Sequence, residues 1–285
     1  KGNSALIIAN YSFNGKNIYT KTILLNGESR GNGLTVDKEG NLYVTDSSPF
    51  DILKIGENGK TIWGNELEKD LEIFALATDT SNDLYITGTM NRSLDGNISK
   101  GGRDIFLTKI SERGPKIWSS TYGSIRDESA TSLSIKSDKT IAIAGYVTQQ
   151  KQIFDNQKQY KDAFVAKYDA KGKLIWTHIF KGEKTEECTV SMWTSDGDLI
   201  IGGYTESSLG DASKGKEDVF LAKFKDGGDL IWLKQFGTDQ NERPLGLGLG
   251  NEGQIYVTGF TEGRIDGDKY NGGRDIFLVK LDKKY

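Results

Sequence analysis

The chain has 285 residues with 37 basic and 40 acidic side chains, a net charge of −3, and the two signs are interspersed. That balance excludes a nucleic-acid footprint, which needs a clustered basic face, and no apolar run approaches the ~20 residues of a membrane-spanning helix. Cys188 is the single cysteine, so no internal disulfide is expected and cysteine usage leaves the redox compartment open.

The start, Lys1-Gly2-Asn3 without Met, reads as processed or trimmed, and residues 1–15 as a surplus strand or extension. Tyr19, in Gly15-Lys16-Asn17-Ile18-Tyr19, fills a slot that Trp63, Trp118, Trp176 and Trp232 then occupy at steps of 55, 58 and 56 residues. A period of that size marks a repeat architecture. Each unit opens with strand A: Gly33–Asp37, Phe74–Thr78, Ser132–Lys136, Val190–Thr194 and Leu245–Leu249. Strand B follows an Asp/Asn-Gly type of turn: Leu42–Thr45, Leu84–Thr87, Ile141–Ala144, Leu199–Gly202 and Ile255–Thr258. Strand C carries Asp-x-Phe-x-x-Lys at Asp104–Lys109, Asp162–Lys167, Asp218–Lys223 and Asp275–Lys280, with Asp51–Lys54 a shortened copy. Strand D ends on the Trp. Short runs rich in β-branched and aromatic residues, bounded by Gly turns, read as antiparallel hairpins. With 35 Gly and only 3 Pro, the composition suits strands that need every ladder N–H and turns that need positive φ. Four-stranded units repeated in this way predict one all-β propeller domain over 1–285.

The unit Asp-x-Phe-x-x-Lys-x-Asp-x-x-Gly-x-x-x-Trp, best kept at Asp162–Trp176, is followed by an Asp-x-x-Gly-x-x-Tyr-x-x-Gly-x-Thr half, best kept at Asn251–Thr261. It resembles the bacterial SBBP-type β-propeller repeat over nearly the whole chain. The resemblance implies a propeller of bacterial envelope or secreted proteins and brings no catalytic residues with it. Strand counting favours five blades, the ring closing by pairing of Ile276–Leu281 with Asn17–Leu24, so that one blade holds both chain ends.

Position on the scaffold ranks the loops. In an up-and-down blade the A–B and C–D turns share one face, and the B–C and D–A connections share the other. The B–C connections are long, at Thr89–Arg103, Val147–Lys161, Thr205–Glu217 and Phe260–Arg274, and long loops on a rigid scaffold concentrate binding residues. Within them Asp95, Asn97 and Ser99, and again Asp266 and Asp268, place side-chain oxygens on alternate residues, a pattern that supplies ligands to calcium or caps loop turns. Glu72, Glu128, Glu187 and Glu242 precede strand A. They form either a partial carboxylate ring at the channel mouth, focusing potential on a cation or hydroxyl-rich ligand, or structural hydrogen bonds between blades.

The aromatic repeat fills the space between blades or presents stacking platforms for sugars. The strand C lysines pair with the strand's leading Asp or a neighbouring blade, or are solvated. His178, the single histidine, follows Trp176 on an outer strand, and no Ser-His-Asp set, zinc constellation or phosphate loop is readable. The expected function is non-catalytic recognition of a protein or glycan by an extracytoplasmic propeller. The alternatives are a carbohydrate-active hydrolase with carboxylates at the channel mouth, which needs only two suitably spaced acids, and a purely structural scaffold.

Overall fold

A computed structural model of the chain describes residues 5–24, 33–45, 51–68, 70–91, 93–149, 159–265 and 272–282. Every regular element in it is a strand. The first two, β1 (Ala5–Tyr11) and β2 (Asn17–Leu24), form a separate hairpin. Blade 1 is β3 (Gly33–Val36), β4 (Leu42–Thr45), β5 (Ile52–Ile55) and β6 (Thr61–Asn65). Blade 2 is β7 (Leu71–Thr78), β8 (Leu84–Met90), β11 (Asp104–Ile110) and β12 (Lys116–Tyr122), with the short pair β9 (Ser93–Leu94) and β10 (Asn97–Ile98) inside its B–C loop. Blade 3 is β13 (Glu128–Ile135), β14 (Ile141–Thr148), β15 (Lys161–Tyr168) and β16 (Leu174–Phe180). Blade 4 is β17 (Glu186–Trp193), β18 (Leu199–Thr205), β19 (Asp218–Phe224) and β20 (Leu230–Phe236). Blade 5 contains β21 (Glu242–Leu249), β22 (Ile255–Thr261) and β23 (Asp275–Leu281).

The five small antiparallel sheets stand in a ring as the blades of a propeller, the innermost strands β3, β7, β13, β17 and β21 lying against one another in chain order. The expected pairing of β23 with β2 is not the one found. Among the described residues β2 pairs with β1, and β23 with β22 alone. A hairpin of adjacent strands closes a very short loop, which is the entropically cheaper pairing for β2.

Four of the inner strands, β7, β13, β17 and β21, begin three or four residues earlier than their sequence pattern shows. Register shifts between Ile73 and Ala75, Ala130 and Ser132, Cys188 and Val190, and Pro244 and Gly246 leave Phe74, Thr131, Thr189 and Leu245 as bulge residues. A bulge breaks the two-residue alternation that marks a strand. Two bulge threonines tie successive blades together: Thr131 Oγ1 donates to the Cys188 carbonyl at 2.5 Å and Thr189 Oγ1 to the Pro244 carbonyl at 2.7 Å.

The core is a set of seams. Tyr85, Ile105 and Leu107 of blade 2 pack with Ala130, Ile141, Ile143 and Phe164 of blade 3, and the same layering recurs between the other neighbours. The repeated tryptophans lie in these seams, and Trp63, Trp118 and Trp176 each lie against a positive-φ glycine of the next blade's C–D turn. Gly114 lies on Trp63, Gly172 on Trp118 and Gly228 on Trp176, and Gly59 lies on Tyr19 of the β1–β2 hairpin. The Trp63 and Trp176 indoles donate to the Glu112 and Asp226 carbonyls of those turns, at 2.9 and 3.1 Å. Packing between blades is therefore their role. His178 is packed too, edge-on to Phe180 and Phe224 with centroids 4.6 and 5.2 Å away, and burial lowers its pKa.

On the turn face, Asp79 Oδ1 takes the N–H groups of Ser81 and Asp83, the pattern by which Asp closes a turn on its own backbone. Its other oxygen meets the Lys109 ammonium at 3.2 Å, with Asp83 at 2.9 Å from the same nitrogen. Lys54 repeats this with Asp37 at 3.3 Å, Lys223 meets Asp198 at 2.9 Å, and Lys167 reaches Asp226 of the next blade at 2.7 Å. The lysines thus pair with turn acids and not with the leading Asp of their own strand. Removing one partner of a buried pair strands the other charge, which costs on the order of 3 kcal/mol. Lys54→Met, which takes the paired ammonium from buried Asp37, should therefore lower stability by about that much in urea titrations, whereas Lys280→Met, at a half-exposed lysine, should change it by less than about 0.5 kcal/mol.

Candidate functional site

The four glutamates do not form one ring. Strand register places Glu128, Glu186 and Glu242 at equivalent first positions of β13, β17 and β21, while Glu72 and Glu187 sit one residue further along, opposite Thr89 and Tyr204. In the sequence Glu128, Glu187 and Glu242 each stand five residues after a Gly, at Gly123, Gly182 and Gly237. The D–A turn before β17 is one residue shorter after its Gly, so Glu186 is the true counterpart.

The equivalent set is buried and committed to its own turns. Glu128 is 2% exposed, and Glu186 and Glu242 are fully buried. Glu242 accepts the Thr238 N–H at 2.6 Å and the Thr238 and Thr261 hydroxyls at 2.7 Å each. Glu186 accepts the Gly182 N–H at 2.9 Å and the Thr205 hydroxyl at 3.1 Å. Ser124 serves Glu128 through both its N–H and its hydroxyl. Each carboxyl also faces the buried leading Asp of strand C in the preceding blade. A Cβ built on Gly237 would lie 2.2 Å from Asp218 Oδ1 and 2.8 Å from Glu242 Oε2. Burial raises the pKa of Glu128, with the Asp104 charge adding to the rise. Burial likewise pushes Glu186 up to about 7, against the hydrogen bonds it accepts, and Asp162 adds to that rise. These acids clasp adjacent blades beneath the surface.

On the loop face a chain of charged and aromatic side chains runs across blades 3, 4 and 5. The Lys161 ammonium sits 3.6 Å from the Tyr146 ring centroid and 2.7 Å from Glu187 Oε2. Tyr204 donates to that same oxygen at 2.9 Å, and burial with the Glu187 charge pushes the Tyr204 phenol up. Arg243 stacks 4.0 Å over the Tyr204 ring and forks onto Glu217 through Nε and Nη2, at 2.5 and 2.7 Å. In blade 5, Arg274 lies 4.3 Å over Phe260 and 2.9 Å from Glu262. Arg243 and Lys161 keep 39% and 30% of their side-chain surface, so the cations stay within reach of a ligand while the acids below fix them. A bidentate Arg–carboxylate fork stacked on an aromatic ring is held far more rigidly than a lone surface pair. Glu72 takes a looser part, 3.8 Å from Arg103, with both side chains about half exposed.

The alternating oxygens of the blade 2 loop do not converge. Asp95 and Gly96, both at positive φ, form the two-residue turn joining β9 to β10, as an Asp-Gly pair does in a tight hairpin. The Asp95 carboxylate is paired with the Lys116 ammonium, which holds its pKa below the usual range. Asn97 lies on exposed β10, and the Ser99 hydroxyl contacts the Gly101 carbonyl at 3.2 Å and Asp104 at 3.1 Å. Asp266 and Asp268 lie outside the described residues. Among the described residues no three acidic, histidine or cysteine side chains come together as a metal-binding group.

No family model matches the chain. It is 28% identical over 186 residues to the regulatory protein FlaEY of Caulobacter vibrioides, an alignment covering 58% of this chain and 20% of that protein. The chain thus spans about a fifth of the length of the curated relative it matches. A Bacteroides caccae protein of unknown function has a similar structure, with a TM-score of 0.57 at 10% identity, covering 95% of this chain and 84% of that one. A member of the DUF4221 family from Bacteroides vulgatus matches at 0.48 with 13% identity, covering 96% and 85% of the two chains. Virginiamycin B lyase of Staphylococcus aureus matches at 0.48 with 12% identity, covering 97% and 75%. At such identities the likeness concerns the fold alone, and the two matches below 0.5 carry no argument.

Proposed function

We propose that this propeller is a non-catalytic recognition module of the SBBP repeat type, secreted or held at the bacterial envelope, that binds a protein or glycan through its loop face. The observation that carries the reading is the Lys161–Glu187–Tyr204–Arg243–Glu217 chain: rigid aromatic surface topped by fixed cations, spanning three blades of the loop face. Such a surface suits ligands that combine a flat apolar face with carboxylates or hydroxyls, as acidic glycans and acidic peptide segments do. The repeat resemblance supports the extracytoplasmic setting. The partial match to FlaEY, a regulatory protein, supports a regulatory context without naming the ligand.

The rival hydrolase reading needs a pair of acids open to substrate, and the acids at equivalent positions here are buried. A screen of arrayed glycans and acidic peptides tests the proposal. Binding should appear and weaken steeply as salt rises from 50 to 500 mM, because the exposed cations are screened over about a Debye length. Turnover of aryl-glycosides that vanishes in Glu187→Gln or Glu242→Gln, with the fold intact, would transfer the assignment to the rival.

A further inference from the structure

We infer that the two buried acid pairs beneath the loop face, Asp162–Glu186 and Asp218–Glu242, each hold one proton in common, and that its loss loosens the recognition surface above, so that pH regulates binding there. This rests on the reading of the loop face as the recognition surface. Each pair joins two blades, the Asp standing at the start of the third strand of one and the Glu at the start of the inner strand of the next. Glu186, Asp218 and Glu242 are fully buried and Asp162 nearly so. Their hydrogen-bond partners among the described residues are all neutral: main-chain N–H groups, hydroxyls, and the Gln149 and Gln235 amides. Two carboxylates facing each other in such a place do not both keep their charge, and one proton between them is how acid dyads resolve the conflict.

The donors around Asp218 and Glu242 show where that proton lies. Both Glu242 oxygens are taken, one by the Thr238 N–H and the other by two hydroxyls. Asp218 Oδ2 accepts the Lys214 N–H and the Gln235 amide, at 2.8 Å each. Asp218 Oδ1 is buried without a partner among the described residues, and it faces Glu242 Oε2 across Gly237, where not even a methyl group fits. An orphaned oxygen set against another carboxylate is satisfied when it carries a proton and donates it. At the other pair burial lifts Glu186 to about 7, with Asp162 adding to the rise, which is the direction a shared proton requires. Neighbouring charges are committed elsewhere: Arg243 to Glu217, Lys161 to Glu187, Arg274 to Glu262 and Lys216 to the Gln240 amide, while Asp211 takes the Gln235 main-chain N–H. Lys181, Glu183, Lys184, Lys214, Asp239 and Arg264 are exposed, and Lys234 lines an outer pocket beside Phe236. The link to the surface is the chain itself. Glu217 precedes Asp218 and Arg243 follows Glu242, and in the same way Lys161 precedes Asp162 and Glu187 follows Glu186. Each ion pair of the loop face thus rides on one buried acid pair, whereas Arg103 and Ser129 hold those places above Asp104 and Glu128 and form no ion pair.

The test uses the whole protein, first alone and then with a fluorescent oligoglutamate peptide as an acidic probe. Infrared spectra of the protein alone should show a protonated-carboxyl carbonyl band at about pH 6 that fades by about pH 9, and the double variant Asp218→Asn/Glu186→Gln should lose most of it. Asparagine at 218 keeps an acceptor for Lys214 and Gln235 and turns its amide toward Glu242 Oε2, so the variant keeps the fold, which circular dichroism checks. The Glu242 N–H donates to the Glu217 carbonyl across the seam at 2.8 Å. Its hydrogen exchange, corrected for intrinsic pH dependence, should quicken about tenfold over that range in the wild type and not in the variant. Peptide affinity should fall about tenfold or more over the same range in the wild type and stay level in the variant. Burial pushes the Tyr204 phenol up and the Glu217 fork pushes the Arg243 guanidinium up, so those groups do not titrate there. A wild type without the band at about pH 6, exchange at Glu242 indifferent to pH, or a pH dependence of binding unchanged in the variant would overturn the inference. So would a divalent ion that copurifies and whose chelation quickens the same exchange, because a metal and not a proton would then hold the pair. A peptide bound at no pH would count against the loop-face reading, and the infrared and exchange results would still decide the proton.

Discussion

Gly203→Ala should abolish the folded state. A Cβ at this position would lie 2.0 Å from the Glu187 carbonyl oxygen, 2.8 Å from Cys188 Cα and 2.7 Å from the Phe220 ring. Two of those three contacts are to backbone, which a rotamer change does not relieve. The cause is the bulge in the inner strand: with two residues of β17 opposite one of β18, the two chains approach closely at Gly203. Gly88, Gly145 and Gly259 meet the Glu72, Ser129 and Arg243 carbonyls at 1.8, 1.9 and 2.0 Å in the same way. The Gly of the Tyr-x-x-Gly-x-Thr half of the repeat is thus dictated by the bulge. The loss should exceed about 4 kcal/mol, beyond what a typical domain tolerates at one site, and should be seen as insoluble protein or as loss of the cooperative urea transition. Gly248→Ala is the control, because nothing lies within 4 Å of its added Cβ and its φ is not positive. It should stay within about 1 kcal/mol of wild type, with a slight gain from the stiffer unfolded chain.

The second large effect is on pH. A carboxyl whose folded pKa is raised favours the folded state while it is protonated in both states. It loses that advantage as pH rises from the unfolded value through the folded one. For Glu186 the window runs from about 4.5 to about 7, and Glu128 shifts in the same direction. Stability should therefore decline from pH 5 to pH 7.5, by on the order of 2–3 kcal/mol from Glu186. This is opposite to a protein dominated by exposed salt-bridged acids. Glu186→Gln should flatten much of that decline and leave the variant more stable than wild type at pH 8. Adding Glu128→Gln should remove more of it. The check is the urea midpoint measured at half-unit pH intervals. A Glu186→Gln variant destabilised equally at pH 5 and pH 8 would mean that the carboxyl is ionised throughout and held only by its donors.

These two predictions rest on features that differ in how well they could be read beforehand. The propeller was legible because Trp63, Trp118, Trp176 and Trp232 each serve one seam, and a seam is what the repeat must build. The inner strands β7, β13, β17 and β21 were cut short because the bulges at Phe74, Thr131, Thr189 and Leu245 interrupt alternation, and the bulge residues share no residue type. The carboxylate set was mistaken by one residue because Glu186 and Glu187 are adjacent, and only strand pairing shows which of them repeats. The loop-face chain was missed although it left a trace: an aromatic residue follows the bulge glycine at Tyr146, Tyr204 and Phe260, where blade 2 has Thr89. What no pattern displayed is that Lys161, Arg243 and Arg274 come from different strands and loops to lie over those rings. The closing pair of strands was misjudged because β1 offers β2 a partner only a short turn away.

The central claim is that recognition resides on the loop face and that the opposite turns are scaffold. It is tested most directly by measuring the ligands captured from the glycan and peptide array with two double variants. Lys161→Ala/Arg243→Ala removes the cations over Tyr146 and Tyr204, and Lys171→Ala/Lys225→Ala removes the same charge from exposed C–D turns. The account predicts that captured ligands are lost, or weakened about tenfold or more, in the first variant and retained in the second. Ligands retained by the first and lost by the second would contradict it.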